Sequence, residues 1–234
     1  MAYSSIDKAL FYRLKLVFKT LIDKIVKNAM IQISPADSAH KRLPDVGLDM
    51  LFREARTHHT WRTKPVPAAL LKEIYEVFKF CPTSTNSNPC RIVFVSSESG
   101  KQRLYPALSQ GNISKLKSAP VTAIIAHDMR FFDHLPRLFP HKDMVGMYAN
   151  DIPHAEEAAF RNGSMQGAYF IIVARALGLD VGPMSGFNNH VVDETFFAGT
   201  SLRSNFLCNL GYGDERALFS RLPRFDFDEV CSFV

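Results

Sequence analysis

From Ile6 to Val26 the apolar residues Ile6, Leu10, Phe11, Leu14, Val17, Phe18, Leu21, Ile22, Ile25 and Val26 recur every three or four positions. Lys15, Lys19, Asp23 and Lys27 fall opposite them, so the pattern predicts an amphipathic, basic helix. Pro35, Asp37, Ser38, Pro44, Asp45 and Gly47 then break the periodicity. The chain therefore reads as a helical extension (1–30), a linker (31–47) and a body (48–234). In the body, Leu48–Ala55 and Ala68–Lys79 carry helical spacing, the second with Leu70, Leu71, Ile74, Val77 and Phe78 on one face after Pro65 and Pro67. Arg91–Ser96 and Val121–Ala126 are short β-branched runs bounded by Pro and polar residues, and Ser204–Leu210 precedes the Gly211-Tyr212-Gly213 turn; all three read as strands. His154–Leu177 predicts a long helix stopped by Gly178. Its small residues Ala158, Ala159, Gly163, Gly167 and Ala168 predict the close approach of another helix.

Composition narrows the class. The 234 residues are 47% hydrophobic and 22% charged, enough apolar material for one globular domain or two small ones, which excludes a disordered chain. Apolar stretches such as Ala168–Ala174 fall far short of the roughly 18 residues a membrane-spanning helix needs. The net charge is +5, of which the first thirty residues carry six cations against Asp7 and Asp23. The body is thus nearly neutral and offers no broad basic face to a nucleic-acid backbone. The basic helix reads as an appendage or as an interfacial membrane contact. Charges interrupt its apolar residues too often for a secretory signal. Cys81, Cys90, Cys208 and Cys231 show no C-x-x-C spacing, so a reducing cytoplasm is the expected setting.

Several short motifs fail on inspection. Gly211-Tyr-Gly-Asp-Glu-Arg216 begins like a dinucleotide fingerprint but has Arg216 in place of the third glycine. Ser99-Gly100-Lys101 has Val95 where a phosphate-binding P-loop needs glycine. The eight histidines form no His-x-x-x-His pair, so no metal site is expected. Ser185 in Gly182-Pro-Met-Ser-Gly186 lacks the spacing of a nucleophile elbow.

Four separated segments make sense together if the ligand has a phosphate, a polar chain and a flat electron-accepting ring. Arg56-Thr57-His58-His59 offers a guanidinium fork and a hydroxyl for phosphate oxygens. Pro82-Thr83-Ser84-Thr85-Asn86-Ser87-Asn88-Pro89 is a polar loop between a helix and a strand. Asn112 and Lys115 lie three apart, on one face of a helical turn. Leu222-Pro223-Arg224 is a rigid turn that delivers a second cation.

In this order and at these intervals, Leu48 to Val234 resembles the FMN-dependent nitroreductase superfamily. Gly-Asn-Ile around Asn112, Ala159-Phe-Arg-Asn162, Leu177-Gly-Leu-Asp180, Gly182-Pro-Met-Ser-Gly-Phe187 and Phe196-Phe-Ala-Gly199 resemble its malonic semialdehyde reductase branch, which acts in pyrimidine degradation. The resemblance implies an α+β fold, a mixed and mainly antiparallel sheet flanked by helices, in an intertwined homodimer with His154–Leu177 at its centre. It implies that Arg56, Thr57 and Arg224 hold the FMN phosphate and that His59 lies near the ring and ribityl chain. Asn112 and Lys115 would bind the pyrimidine edge of the flavin. Thr83, Ser84 and Asn86 would reach it from the partner subunit, while Ser185 and Gly186 place a backbone N–H at N5. Ala55 departs from the pattern, since many members have an arginine there; so does His59, a titratable group in place of a permanent cation. Ser185 stands where some members carry a glutamate.

The activity so implied is hydride transfer from NADPH or NADH, with Lys115 stabilising negative charge on the flavin and both substrates using one face in turn. Malonic semialdehyde reduced to 3-hydroxypropionate is the first expectation, a broad nitro or quinone reductase the second. A non-catalytic flavin-binding, membrane-associated interaction protein is a third. Arg62, Arg91 and Arg161 are candidate partners for a substrate carboxylate, and His127–Pro153 is either a lid over the flavin or a packed structural excursion.

Overall fold

A strand stays buried along its whole length only when the sheet is covered on both faces, and residues 121–128 do so. The computed structural model describes residues 41–234, so the basic helix expected over 1–30 and most of the linker lie outside the described residues. Four strands, β1 (Cys90–Val95), β2 (Val121–Asp128), β3 (Asp180–Met184) and β4 (Leu202–Gly211), pair in the order β1-β2-β4-β3, each neighbour antiparallel. The one parallel pairing among the described residues is an isolated bridge between Thr57 and Val181.

Among the described residues, five helices of seven residues or more flank the sheet: α1 (Ala68–Phe78), α2 (Glu98–Leu104), α3 (Gln110–Ser118), α4 (Ile152–Ala176) and α5 (Asn189–Phe196). Side chains alternate along β2, and each face has its own core. Val121, Ala123 and Ile125 pack with Ile74 and Phe78 of α1 and Phe170 and Val173 of α4. Ile124 and Ala126 pack with Leu104, Leu116 and Val192, from α2, α3 and α5. Between β2 and α4 a third cluster, Phe131, Phe132, Leu135 and Tyr148, closes on Ala155, Ala158 and Ala159. The excursion over 127–153 is thus anchored on α4 by its own aromatic core.

Three expectations change. The helix expected over Leu48–Ala55 is a π-helical turn, Asp49–Arg53, closed by the Glu54 N–H donating to Asp49 O at 2.8 Å. The strand β3 was hidden behind Gly182 and Pro183, residues that signal turns; Pro183 is tolerated because β3 is an edge strand. Two of the small residues of α4, Gly163 and Gly167, admit the sheet rather than another helix. A Cβ on Gly167 would lie 2.5 Å from the Phe206 ring of β4, and one on Gly163 would lie 2.8 Å from His127 Cβ of β2. No described helix is long and apolar enough to cross a membrane.

The contact at Gly167 gives a prediction with a sign. Gly→Ala in an open helix gains up to about 1 kcal/mol, as expected for Gly111 of α3, where nothing lies within 4 Å. At Gly167 the same change overpacks the core and is expected to cost about 1–3 kcal/mol. Urea unfolding of Gly111→Ala and Gly167→Ala checks this; stabilisation by both would refute the close packing of α4 on β4.

Candidate functional site

The segment Arg56–Arg62 has no regular structure of its own, yet main-chain hydrogen bonds fix it. His58 N–H donates to Val181 O at 3.0 Å, Arg62 N–H to Tyr212 O at 2.8 Å, and Asp214 N–H to Thr60 O at 3.0 Å. The His58 ring is buried, with Nε2 3.3 Å from Asp180 Oδ1, and Asp180 Oδ2 accepts the Gly213 N–H at 2.8 Å. A Cβ on Gly213 would fall 1.9 Å from His58 Nδ1, so the ring fits only against a glycine. Burial pushes the imidazole pKa below its ordinary value, while Asp180 pulls the other way. Arg56, Thr57 and His59 therefore extend from a fixed rail on the edge strand.

They line a cavity of about 690 Å³ with Lys115, Arg175, Arg221 and Arg224, and His59 stacks on Phe219 with ring centroids 4.8 Å apart. Five permanent cations share this cavity, and no carboxylate is among its lining residues. What holds them is neutral oxygen. Arg56 donates to Phe219 O, Arg175 to Leu51 O at 3.1 Å, and Arg221 to Arg53 O at 2.6 Å and Ala55 O at 3.2 Å. Arg224 donates to Leu222 O and Pro223 O, and Lys115 Nζ to the Asn112 amide oxygen at 2.9 Å. Carbonyls fix these groups without cancelling their charge. The arrangement suits a multiply charged anion at the arginine end and a developing negative charge near Lys115.

Of the residues singled out in the sequence, Arg56, Thr57, His59, Lys115 and Arg224 line this cavity. Asn112 is buried behind Lys115, and its amide nitrogen donates to Gly186 O at 2.9 Å; Ser185 is the exposed residue before that glycine. Thr83, Ser84 and Asn86 are not brought to the cavity within one chain. Ser84 N–H is held by Asn162 Oδ1 at 2.8 Å, and Thr83 Oγ1 accepts the Asn88 N–H at 3.2 Å. Asn86 donates to Leu138 O at 2.8 Å and lines a separate groove of about 1240 Å³ beside α1 and β1.

Arg175 and Arg221 were missed, because neither belongs to a motif and each meets its neighbours across more than 120 positions. The available signal was the missing cation at Ala55: Arg221, three residues before Arg224, bonds to the Ala55 carbonyl itself. The three arginines offered for a substrate carboxylate all face acids already. Arg62 lies 3.7 Å from Glu215, Arg91 2.8 Å from Asp128, and Arg161 pairs with Glu157.

The rail yields a pH prediction. Because the folded pKa of His58 lies below the free value of 6.5, both states are neutral above that pH and the group contributes nothing there. Below it the unfolded chain takes up the proton first, so stability falls as pH drops from 6.5 toward the folded pKa. Burial depresses His127 in the same direction, so the two must be separated. His58→Asn is expected to flatten, without abolishing, the decline of the thermal midpoint between about pH 7.5 and 5. An unaltered decline in the variant would show that the buried ring is not what titrates.

Comparison with known proteins fits this architecture. The family model described as "Nitroreductase family" matches residues 52–212. A Burkholderia lata protein described as a "Putative NADH dehydrogenase/NAD(P)H nitroreductase" is 57% identical over 189 residues, covering 81% of this chain and 97% of that protein. Among solved structures, ydfN of Bacillus subtilis superposes with a TM-score of 0.75 at 19% identity, covering 82% of this chain and all of that one. An Exiguobacterium sibiricum protein crystallised in complex with FMN superposes with a TM-score of 0.72 at 18% identity, covering 83% of this chain and 99% of its own. The two structures share the fold, and the family match and the close relative carry the assignment: this chain belongs to the nitroreductase family.

Proposed function

We propose that this protein is an FMN-dependent NAD(P)H oxidoreductase whose cofactor lies in the five-cation cavity. The observation that carries the reading is the carbonyl-held charge without an opposing carboxylate, which matches a phosphate dianion at one end and an electron-accepting ring at the other. The volume of about 690 Å³ is in the range of cofactor pockets. The Exiguobacterium relative of the same fold binds FMN, and the Burkholderia relative is described with NAD(P)H.

Bound FMN would relay a hydride from NAD(P)H to the second substrate. In this reading Arg56, Arg221 and Arg224 grip the phosphate with the Thr57 hydroxyl, and Arg175 adds positive potential behind them. Arg221 supplies the cation that Ala55 lacks. Lys115 stabilises negative charge at the ring, and the Ser185–Gly186 turn adjoins it through Asn112. Malonic semialdehyde is the proposed second substrate. Reduction of nitro compounds or quinones is the alternative, favoured by the nitroreductase description of the 57% identical relative.

Two copies of the chain are proposed to complete the site. Phe160, Met165 and Tyr169 of α4 are exposed, and so are Phe225, Phe227 and Phe233 of the C-terminal segment, apolar side chains suited to a partner. Thr83, Ser84 and Asn86 would then act on the partner's cavity.

The tests follow from the charges. Purified protein is expected to be yellow and dimeric, by absorbance and light scattering. Arg56→Ala and Arg221→Ala are each expected to weaken FMN binding at least tenfold, about 1.5 kcal/mol or more for a lost charge-assisted bond, while riboflavin binding changes little. Ala55→Arg in the Arg221→Ala background should restore part of the loss. Lys115→Ala should keep FMN and slow its reduction by NAD(P)H. Equal losses for FMN and riboflavin would remove the phosphate assignment, and faster turnover of nitroaromatics than of the aldehyde at matched concentration would select the alternative substrate class.

A further inference from the structure

We propose that Asn112 is a positioning residue that sets the reduction potential of the bound flavin through Lys115, an inference that rests on the FMN assignment above. Asn112 is 7% exposed, and its amide is used at both ends: Nδ2 donates to Gly186 O at 2.9 Å and Oδ1 accepts from Lys115 Nζ at 2.9 Å. The chemistry of the neighbours fixes that orientation, because a carbonyl can only accept and an ammonium can only donate.

The glycine end of this bracket is rigid. Gly186 O also accepts the Ser109 N–H at 3.0 Å, Leu108 and Phe187 form an antiparallel bridge, and Asn188 N–H donates to Ala107 O at 2.7 Å. A Cβ on Gly186 would lie 2.8 Å from Asn112 Nδ2, so the turn and the amide are in close contact. The lysine end is mobile by nature, a flexible four-carbon stem. Among the described residues the Asn112 oxygen is its only hydrogen-bond partner. The position of the ammonium on the cavity wall is therefore set by Asn112, which refers it to the Ser185–Gly186 turn. Stabilisation of a negative charge depends steeply on where a single cation sits, so the bracket converts a loose charge into a preorganised one.

Asn112→Ala releases Lys115 to solvent and leaves the arginine cluster untouched. Affinity for oxidised FMN is expected to fall less than in Arg56→Ala or Arg221→Ala, since the arginine end carries most of it. The ratio of reduced to oxidised flavin at fixed potential should fall about tenfold, about 30 mV for a two-electron couple. A double-mutant cycle with Lys115→Met supplies the readout that a general structural defect would not mimic: the double variant should have the potential of Lys115→Met alone. Additive shifts, or an unchanged potential in Asn112→Ala, overturn the proposal. Should the alanine variant fail to fold, Asn112→Asp keeps the shape; its carboxylate would neutralise the ammonium and oppose Gly186 O, so a potential at or above wild type overturns the proposal equally. Wild-type protein that binds no FMN refutes the cofactor reading itself, whereas FMN-loaded protein indifferent to Asn112 refutes this inference alone.

Discussion

Positive charge held by neutral oxygen is the interaction on which the site depends. Among the described residues several arginines outside the cavity meet acids: Arg91 with Asp128, Arg130 with Asp133, Arg161 with Glu157 and Arg216 with Asp214. In the cavity, Arg56, Arg175, Arg221 and Arg224 meet backbone carbonyls, and Lys115 meets an amide. A carboxylate partner would cancel each charge; a carbonyl orients the group and leaves its field intact. Such a cluster works against itself, because two like charges 8 Å apart repel by about 2 kcal/mol at an effective dielectric of about 20. In the proposed reading a dianionic ligand would relieve that repulsion, so the cost of assembling the cluster would become affinity for phosphate.

The fold supplies the carbonyls in the right places. Arg56 lies on a rail bonded to β3 and to the turn after β4, and that rail is held by His58, Asp180 and Gly213. Arg175 comes from the last turn of α4, whose register is fixed where Gly163 and Gly167 let the helix sink onto β2 and β4. Arg221 reaches back from the C-terminal segment to the carbonyls of Arg53 and Ala55 at the end of the π-helical turn. Arg53 ends that turn and Ala55 lies just beyond it, so their carbonyls, like those at any helix C-terminus, point out of the helix and accept from Arg221.

Legibility followed the range of the interaction. The elements α1, α4, β1, β2 and β4 could be read from periodicity because their signals are local and their faces are buried by the pattern itself. The strand β3 could not, because Gly182 and Pro183 carry the local vocabulary of a turn and only its pairing with β4 makes them extended. At the site, Arg56, Lys115 and Arg224 were legible as parts of short polar segments. Arg175 was not, being one cation in a helix ending in Ala-Arg-Ala-Leu-Gly, and Arg221 was passed over for its neighbour Arg224 although the gap at Ala55 called for another cation. Chemistry concentrated in a short run can be read from the chain, whereas chemistry assembled across 160 positions has to be seen folded.

The loop over 82–89 bears on how much of a site one chain contains. Thr85, Asn86 and Asn88 have φ of 51°, 51° and 42°, a left-handed conformation that non-glycine residues adopt at a cost of order 1 kcal/mol each. Buried polar side chains of α4 hold it: Asn162 takes the Ser84 N–H, while Gln166 takes the Cys90 N–H and donates to Asn88. Two buried amides committed to one strained loop are more than a simple connection between a helix and a strand needs. Within the chain, however, this loop borders the groove beside β1 and contributes nothing to the charged cavity. A conformation so firmly maintained and so far from its own chain's cations makes structural sense when its target lies on another copy, which is why the pairing of two chains and the completion of the site are best treated as one proposal.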